Sequence, residues 1–170
     1  MPYPSSKPSL RMLAGRGTRL LITADCAITA VEEVRAAREL GIAVVVSDHH
    51  SPRADGTLPD APIVHPALCG YPCPELCATA VAYKLAQALL EASGAGEAGL
   101  ARLTRDLDLV ALATVADVVP LLGENRALLR RGLRALAATA KPGLRALMSV
   151  AGVDARGSPS ARSGSRWRRA

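Results

Sequence analysis

Short apolar runs alternate with amphipathic stretches in the first third of the chain, and they predict both strands and helices. Residues 19–24 and 42–47 are apolar runs of strand length, which is typical of buried parallel strands. Between them, Thr29 and Glu32 are expected to form a capping box at the start of a helix that Gly41 ends. A strand, a helix and a second strand in such close succession predict a βαβ unit with parallel strands and a right-handed crossover.

Beyond this unit the pattern predicts mainly helices. The many prolines between residues 51 and 75 indicate a loop, in which residues 63–64 form a short strand. Residues 103–119 are apolar almost all round, so we expect a buried helix that Pro120 ends. The remaining predicted segments are a short helix near 10–14, helices at 76–92 and 124–138, a flexible turn at 94–99 and a short helix ending at 150.

Together these elements predict an α/β fold, with a parallel sheet of βαβ units flanked by helices. The chain has 170 residues, enough for one domain with a substantial core. Apolar residues make up 49% of it but Phe is absent, so the core must be built from Ala, Leu and Val, which suits helices packed on a parallel sheet. We expect an irregular segment at 1–18, a folded domain at 19–153 and a disordered basic tail at 154–170.

The formal net charge of +6 comes mainly from that tail. Five arginines lie in the last sixteen residues, and removing them from the 21 basic residues leaves 16 against 15 acidic ones. The high isoelectric point therefore does not predict a basic nucleic-acid-binding face on the body of the protein.

Several functional classes are disfavoured by what the sequence lacks. It has no apolar stretch long enough to cross a membrane and no basic-then-apolar secretory signal at its start, so we expect a cytoplasmic protein. It contains neither a P-loop nor a GxGxxG fingerprint nor a serine-hydrolase elbow.

Metal-binding and proton-carrying side chains follow the two predicted strands at their carboxyl ends. Asp25 comes after the first strand, and Asp48, His49 and His50 come after the second. Ligands of open α/β sheets collect beyond the carboxyl ends of the strands, and neighbouring strands lie about 5 Å apart. The carboxylates and imidazoles can therefore share one metal ion or one phosphate.

Asp117 is a further candidate ligand, because its neighbours in sequence are Val and Ala and a buried carboxylate is costly without a partner. Metal coordination would offset that cost. Asp106 and Asp108, in contrast, are predicted to lie in the first turn of the same helix, where negative charge suits the helix dipole, and we interpret them as structural.

Three cysteines, Cys69, Cys73 and Cys77, recur at every fourth position, with His65 close by. This spacing matches none of the usual zinc patterns, which favours ordinary reduced thiols over a structural zinc site.

Taken together, these motifs resemble the DHH phosphoesterase superfamily, and within it the RecJ-type single-strand-specific exonucleases. The resemblance extends over residues 18–150 and includes the Asp-His-His sequence at 48–50. The other matching segments are residues 21–28, 81–85, 108–121 and 123–126.

The resemblance implies a phosphodiesterase with two Mn²⁺ or Mg²⁺ ions that acts on single-stranded DNA. It implies that Asp25 is a bridging ligand and that His49 and Asp117 are ligands of one metal. Asp48 would support the site, and His50 would lie near the scissile phosphate. Arg126 would also contact substrate. DNA-repair or single-strand-binding proteins are the partners that the resemblance implies.

One part of the family pattern is missing. An Asp-rich D-x-D-G motif normally precedes the strand that ends at Asp25, yet Asp25 is the first acidic residue of this chain. We therefore predict a phosphoesterase domain that is incomplete at the N-terminus and has weak or no activity by itself. Two alternatives stay open: a phosphoesterase of short oligonucleotides or cyclic dinucleotides, and a non-catalytic remnant or binding module.

Overall fold

The computed structural model describes residues 7–153, so the predicted tail at 154–170 and residues 1–6 lie outside the described residues. The described part contains seven α-helices, three strands and one 3₁₀ turn. In chain order they are α1 (Lys7–Gly15), β1 (Leu20–Ile22), α2 (Val31–Glu39), β2 (Ala43–Ser47), β3 (Ile63–Val64), α3 (Ala78–Ala92), α4 (Gly96–Leu103), the 3₁₀ turn (Thr104–Asp106), α5 (Leu107–Ala116), α6 (Gly123–Ala137) and α7 (Pro142–Val150).

The three strands form a parallel sheet in the order β1-β2-β3. Leu21 of β1 lies beside Val44 of β2, and Val46 lies beside Ile63 of β3. The predicted βαβ unit is therefore present as β1-α2-β2, and the predicted α/β class with a parallel sheet and flanking helices is confirmed. Because all strands point the same way, their carboxyl ends share one edge of the sheet.

One face of the sheet packs on the two N-terminal helices. Leu10 of α1 is buried with Val34 and Ala37 of α2 against Val44 and Val46 of β2. The short helix expected near 10–14 is thus longer, from Lys7 to Gly15, and it belongs to the core. The description of residues 1–18 as irregular does not hold for this part.

Helix α2 ends as expected but begins differently. Gly41 has φ +76°, and the amides of Gly41 and Ile42 donate to the carbonyls of Arg38 and Ala37, which is a Schellman motif. The predicted capping box is wrong, because the residue before the helix is Ala30 and no side chain caps it. The chain enters α2 from the turn that follows Asp25, and the helix begins two residues after Thr29.

The second half of the described chain is a helical layer built on α3, α5 and α6. Its core includes Val81, Leu107, Val110 and Leu128. Helices α5 and α6 approach very closely at Gly132, where an added Cβ would collide with the carbonyl oxygen of Leu107. Only glycine fits at this crossing.

Two expectations about this layer are wrong. Residues 94–99 are not a flexible turn throughout, because α4 begins at Gly96. The helix expected over 103–119 is divided by the 3₁₀ turn, and α5 ends at Ala116. Leu109, Leu112 and Val115 are exposed on α5, since α3 and α6 cover only part of its circumference. An apolar composition favours burial, but the neighbours available decide which side is buried.

Among residues 7–153, no helix combines the length and the apolar character that crossing a membrane requires.

Candidate metal centre

The pairing of β1 with β2 continues past the last residue of β1 and carries Asp25 to the end of β2. The amide of Thr23 donates to the carbonyl of Val45 at 3.0 Å, and the amide of Asp25 donates to that of Ser47 at 3.1 Å. Asp25 therefore lies beside the residues that follow Ser47, which are Asp48, His49 and His50. This is the arrangement that the two strand-end motifs predicted.

The turn after β1 adopts an unusual backbone conformation. Asp25 has φ +65° and Ala27 has φ +85°, in the left-handed region that side chains with a Cβ rarely adopt. Thr23 holds this turn, because its hydroxyl donates to the carbonyl of Cys26 at 2.9 Å and accepts from the amide of Ser47 at 3.1 Å. Strained residues of this kind persist only where the surroundings hold them, and they cluster at functional sites.

Asp48 is the buried anchor of the strand end, with 1% of its side chain exposed. One carboxylate oxygen accepts the amide of Ile28 at 2.9 Å. The other accepts the amides of His49 and His50 at 2.8 and 3.2 Å and lies 2.7 Å from Nδ1 of His50. Both oxygens are thus engaged by the protein, so Asp48 orients the two histidines and leaves metal coordination to other residues.

These contacts change the pKa of both partners. Burial by itself would raise the pKa of Asp48, but the hydrogen bonds from Ile28, His49 and His50 outweigh it and hold that pKa below its usual range. The hydrogen bond to Asp48 is the main cause that raises the pKa of His50. The protonated imidazole of His50 is therefore favoured at the exposed rim of the site.

His65 supports the same strand end from behind. It is buried, its Nδ1 accepts the amide of Leu68 at 3.3 Å, and its Nε2 donates to the carbonyl of His50 at 2.9 Å. Sequence reasoning considered His65 only as a neighbour of the cysteines, and those cysteines are free thiols. No spacing signal linked His65 to His50, because the two are joined by the β2-to-β3 contact of the folded sheet.

Asp25 and Asp117 both lie beside the imidazole of His49. Nε2 of His49 lies 3.2 Å from a carboxylate oxygen of Asp25 and 4.0 Å from one of Asp117. Ligands about 2.1 Å from an octahedral cation lie about 3 Å apart when adjacent and about 4 Å apart when opposite. Each carboxylate therefore lies at a distance from Nε2 of His49 that two ligands of one divalent cation can have.

His50 lies at the edge of this group. Its Nδ1 is 3.8 Å from the same oxygen of Asp25, and Asp25, His49 and His50 can offer ligand atoms that all lie within 4.8 Å of one another. Nδ1 of His50 is also held by Asp48 at 2.7 Å. In the part of the chain that the structure describes, no other group of three metal-binding side chains comes as close together.

Asp117 reaches the site from the end of α5. It is the residue that follows the last helical turn, and its side chain is 37% exposed, so the expectation of a buried carboxylate within a long helix is wrong. The chain leaves the helix there because Pro120 follows and Val118 turns into the left-handed region, with φ +55°. A negative charge at the C-terminal end of a helix is unfavourable with the helix dipole, and a cation at Asp117 would relieve that cost.

The electrostatics of the group also favour a cation. Within residues 7–153, neither Asp25 nor Asp117 forms an ion pair with a lysine or arginine, so only histidines lie beside these two carboxylates. Carboxylate oxygens and imidazole nitrogens are ligands that suit Mn²⁺, and Mg²⁺ accepts the oxygens. The residues present therefore fit a divalent metal ion.

The remaining candidates from the sequence lie elsewhere. Arg126 is exposed in the first turns of α6, and its side chain forms no hydrogen bond or ion pair with the residues that the structure describes. Asp108 is buried at the other end of α5, where Lys141 lies 2.7 Å from it and also pairs with Asp106 at 3.0 Å. These two acids serve the packing of α5 against the start of α7.

Comparison with known proteins shows which family the chain matches. Residues 3–114 match the family model described as "DHH family, N-terminal domain". The single-stranded-DNA-specific exonuclease RecJ of Bacillus subtilis is 42% identical over 89% of this chain, and RecJ of Escherichia coli is 43% identical over 82%.

Two solved structures have the same fold. RecJ from Thermus thermophilus in complex with Mn²⁺ superimposes with a TM-score of 0.73 at 35% identity, over 88% of this chain and 22% of that one. An exonuclease RecJ bound to manganese superimposes with a TM-score of 0.69 at 36% identity, over 85% of this chain and 37% of that one.

The chain spans only 18% of the B. subtilis relative and 26% of the E. coli relative. What it shares with them is the part that contains the strand-end acids and histidines, and the family model covers most of its length. The chain belongs to the DHH family.

Proposed function

We propose that this chain carries part of a metal-dependent phosphodiesterase centre that acts on single-stranded DNA. The observation that supports this most directly is that Asp25 and Asp117, from two separate segments, lie 3.2 and 4.0 Å from Nε2 of His49 at the edge of the sheet. The manganese-bound RecJ structures, which share this fold, make Mn²⁺ the first cation to test and Mg²⁺ the second.

Each residue has a distinct task in this proposal. Asp25 and Asp117 supply oxygens and His49 supplies Nε2, while Asp48 fixes the histidines by its contacts to their amides and to the His50 ring. Bound divalent cations would generate a hydroxide nucleophile and neutralise charge on the attacking and leaving oxygens.

His50 is proposed to contact the substrate. It is exposed at the rim, and its raised pKa favours the cationic form that attracts a phosphate oxygen. Arg126 is proposed to bind the DNA backbone as an exposed cation on α6. Its replacement by Ala should weaken binding to all single strands alike and reduce the salt dependence by about one ion.

The proposed centre is incomplete in this chain. Two-metal sites need ligands for both ions, and the described residues offer one close group of three metal-binding side chains, which are Asp25, His49 and His50. We therefore expect the purified chain to bind one Mn²⁺ per molecule and to degrade single-stranded DNA slowly or not at all.

The test combines Mn²⁺ titration calorimetry with digestion of an end-labelled single strand. Asp25→Asn and His49→Ala should abolish Mn²⁺ binding and any digestion. Asp108→Asn, which changes a carboxylate far from the site, is the matched control and should bind Mn²⁺ as the unaltered chain does. If the unaltered chain binds no Mn²⁺, or if His49→Ala binds it equally well, the proposal is wrong.

Substrate choice is tested separately. Comparing long single strands with dinucleotides distinguishes an exonuclease from a phosphoesterase of short oligonucleotides. The same proposal includes repair or single-strand-binding proteins as partners and the cytoplasm as the location, since we expect the DNA substrate to be found there. Co-purification with a single-strand-binding protein on DNA would test the partner.

A further inference from the structure

The turn that carries Asp117 receives little support from its own side chains. Between α5 and α6, Val118 is 86% exposed, and Leu121 and Leu122 are also exposed. Only Val119 packs on the helical core. In addition, Val118 is β-branched and has φ +55°, a conformation that is strained for such a residue. Hydrophobic burial is thus a weak source of order here, and something else must hold the strained turn.

Asn125 supplies that support. Its side chain is 1% exposed, and its Nδ2 donates to the carbonyl of Pro120 at 3.1 Å and to the carbonyl of Glu75 at 2.8 Å. Pro120 lies three residues after Asp117, whereas Glu75 lies in the segment just before α3. The side-chain amide of Asn125 therefore connects the Asp117 turn to the segment just before α3.

The oxygen of the same side-chain amide, Oδ1, has no hydrogen-bond partner in the part of the chain that the structure describes. Among the described residues, Oδ1 of Asn125 is the one buried side-chain oxygen or nitrogen without a hydrogen bond. A buried acceptor left in this state destabilises the folded protein, so packing alone would favour an apolar residue such as Leu at this position. What Leu cannot provide is the pair of donors to the two carbonyls.

We infer that Asn125 is a positioning residue for Asp117: by holding Pro120, it keeps the strained turn in the conformation that aims the carboxylate at His49. This inference rests on the proposed role of Asp117 as a metal ligand. Asn125 belongs to the segment 123–126 that resembles the family, and the inference gives this residue a function. Residues that orient metal ligands commonly change metal affinity by about 10-fold to 100-fold when they are replaced.

Two measurements on the full chain test this. The first is hydrogen exchange at the amides of Asp117 and Val118, which bond to the carbonyls of Ala113 and Val115 at the end of α5. In Asn125→Leu these two amides should exchange faster, while amides in the middle of α5 keep their protection. This readout needs no metal.

The second measurement is Mn²⁺ affinity in a double-mutant cycle. Asn125→Leu should weaken Mn²⁺ binding about tenfold or more. In the Asp117→Asn background the same change should cost nothing further, because the ligand that it positions is already lost. Asp108→Asn is the control for general destabilisation, and it should leave both the exchange pattern at the turn and the Mn²⁺ affinity unchanged.

Asn125→Ser is a second variant, should the leucine variant not fold. Its shorter side chain cannot span both carbonyls, so it should show the same pattern more weakly. Unchanged protection at Asp117 and Val118, or an equal loss of Mn²⁺ affinity in the Asp117→Asn background, overturns the inference. If the unaltered chain binds no Mn²⁺, the proposed function fails, and the exchange measurement then decides by itself whether Asn125 holds the turn.

Discussion

Helix α5 has a carboxylate near each end, and the two meet different surroundings. Asp108, near its start, is 1% exposed and accepts hydrogen bonds from Thr139 and Lys141 at 2.7 Å each. Asp117, just after its end, is 37% exposed, and its one ion pair within residues 7–153 is with His49, at 4.0 Å. Among the described residues, a lysine is paired with the first carboxylate, and no lysine or arginine is paired with the second.

This difference separates a structural acid from a candidate ligand. A carboxylate with a lysine, a hydroxyl and a backbone amide needs nothing from outside, and it lies where the helix dipole favours negative charge. Asp117 lies at the opposite end of the helix, and the imidazole of His49 is close to both Asp117 and a second carboxylate, that of Asp25. An added cation would therefore stabilise Asp117 more than it would stabilise Asp108. Proximity to neighbours of opposite charge therefore tells the two roles apart better than burial does.

The largest expected effect is at Asp48, which resembles Asp108 in burial although it lies at the strand end. Asp48→Ala would leave the amides of Ile28, His49 and His50 without their acceptor. We expect a loss of about 3–5 kcal/mol in the free energy of unfolding, measured in urea. Asp25→Asn, at an exposed position in the same site, should change it by less than about 0.5 kcal/mol, because Asn also tolerates the left-handed conformation of that residue. Equal losses in the two variants would contradict this account.

The next effect is the response to Mn²⁺. At a Mn²⁺ concentration of about 100 times the dissociation constant, the chain should gain about 2.7 kcal/mol in stability, seen as a higher urea midpoint. The gain should be much smaller in Asp117→Asn, because one of the proposed ligands becomes neutral, and it should persist in Asp108→Asn. A gain of the same size in Asp117→Asn would remove the distinction between the two ends of α5.

Loss of the ion pair between Asp108 and Lys141 should have a smaller effect on the free energy of unfolding. Asp108→Ala removes the hydrogen bonds with Lys141, Thr139 and the amide of Leu109, and Lys141 can then turn towards water. We expect about 2 kcal/mol of destabilisation in urea. Calorimetry on the same variant should give an unchanged Mn²⁺ affinity, and a weakened affinity would mean that the two ends of α5 are coupled.

Protonation of Asp108 at low pH should destabilise the protein by no more than the about 2 kcal/mol expected for Asp108→Ala. Burial would raise the pKa of Asp108, but the bonds from Lys141, Thr139 and the Leu109 amide lower it overall. Its contribution to stability is therefore complete above the unfolded pKa of about 3.9 and is lost as the pH falls through the lower pKa of the folded state. Urea unfolding between about pH 5 and pH 2 should show a shallower decline in Asp108→Asn than in the unaltered chain; parallel curves would contradict it.

The smallest effect is a gain at Val118. Asn adopts the left-handed region more readily than Val does, and the exposed Val118 side chain makes few contacts that would be lost. Val118→Asn should stabilise the chain by about 1 kcal/mol and leave Mn²⁺ affinity unchanged. Destabilisation in urea would show that the valine itself is needed at this turn.

The sequence predicted the elements whose cause is local. The β1-α2-β2 unit, the Gly41 helix end and the approach of Asp25 to the Asp-His-His motif all follow from residues within a short stretch, where apolar periodicity and turn residues act directly. The capping box at Thr29 was wrong even so, because the turn after Asp25 takes its shape from contacts with β2.

Only the tertiary structure decided which carboxylate is buried. The apolar neighbours of Asp117 in sequence suggested that it is buried. The position of Asp108 in the first turn of a helix suggested a role at the helix dipole. The exposure of each carboxylate depends instead on which side chains the fold packs against it. Lys141, the partner of Asp108, is 33 residues away along the chain, and Glu75, whose carbonyl accepts from Asn125, is 50 residues from that amide. Contacts over such separations leave no periodic trace along the chain, since each side chain meets its partner only after the helices have packed.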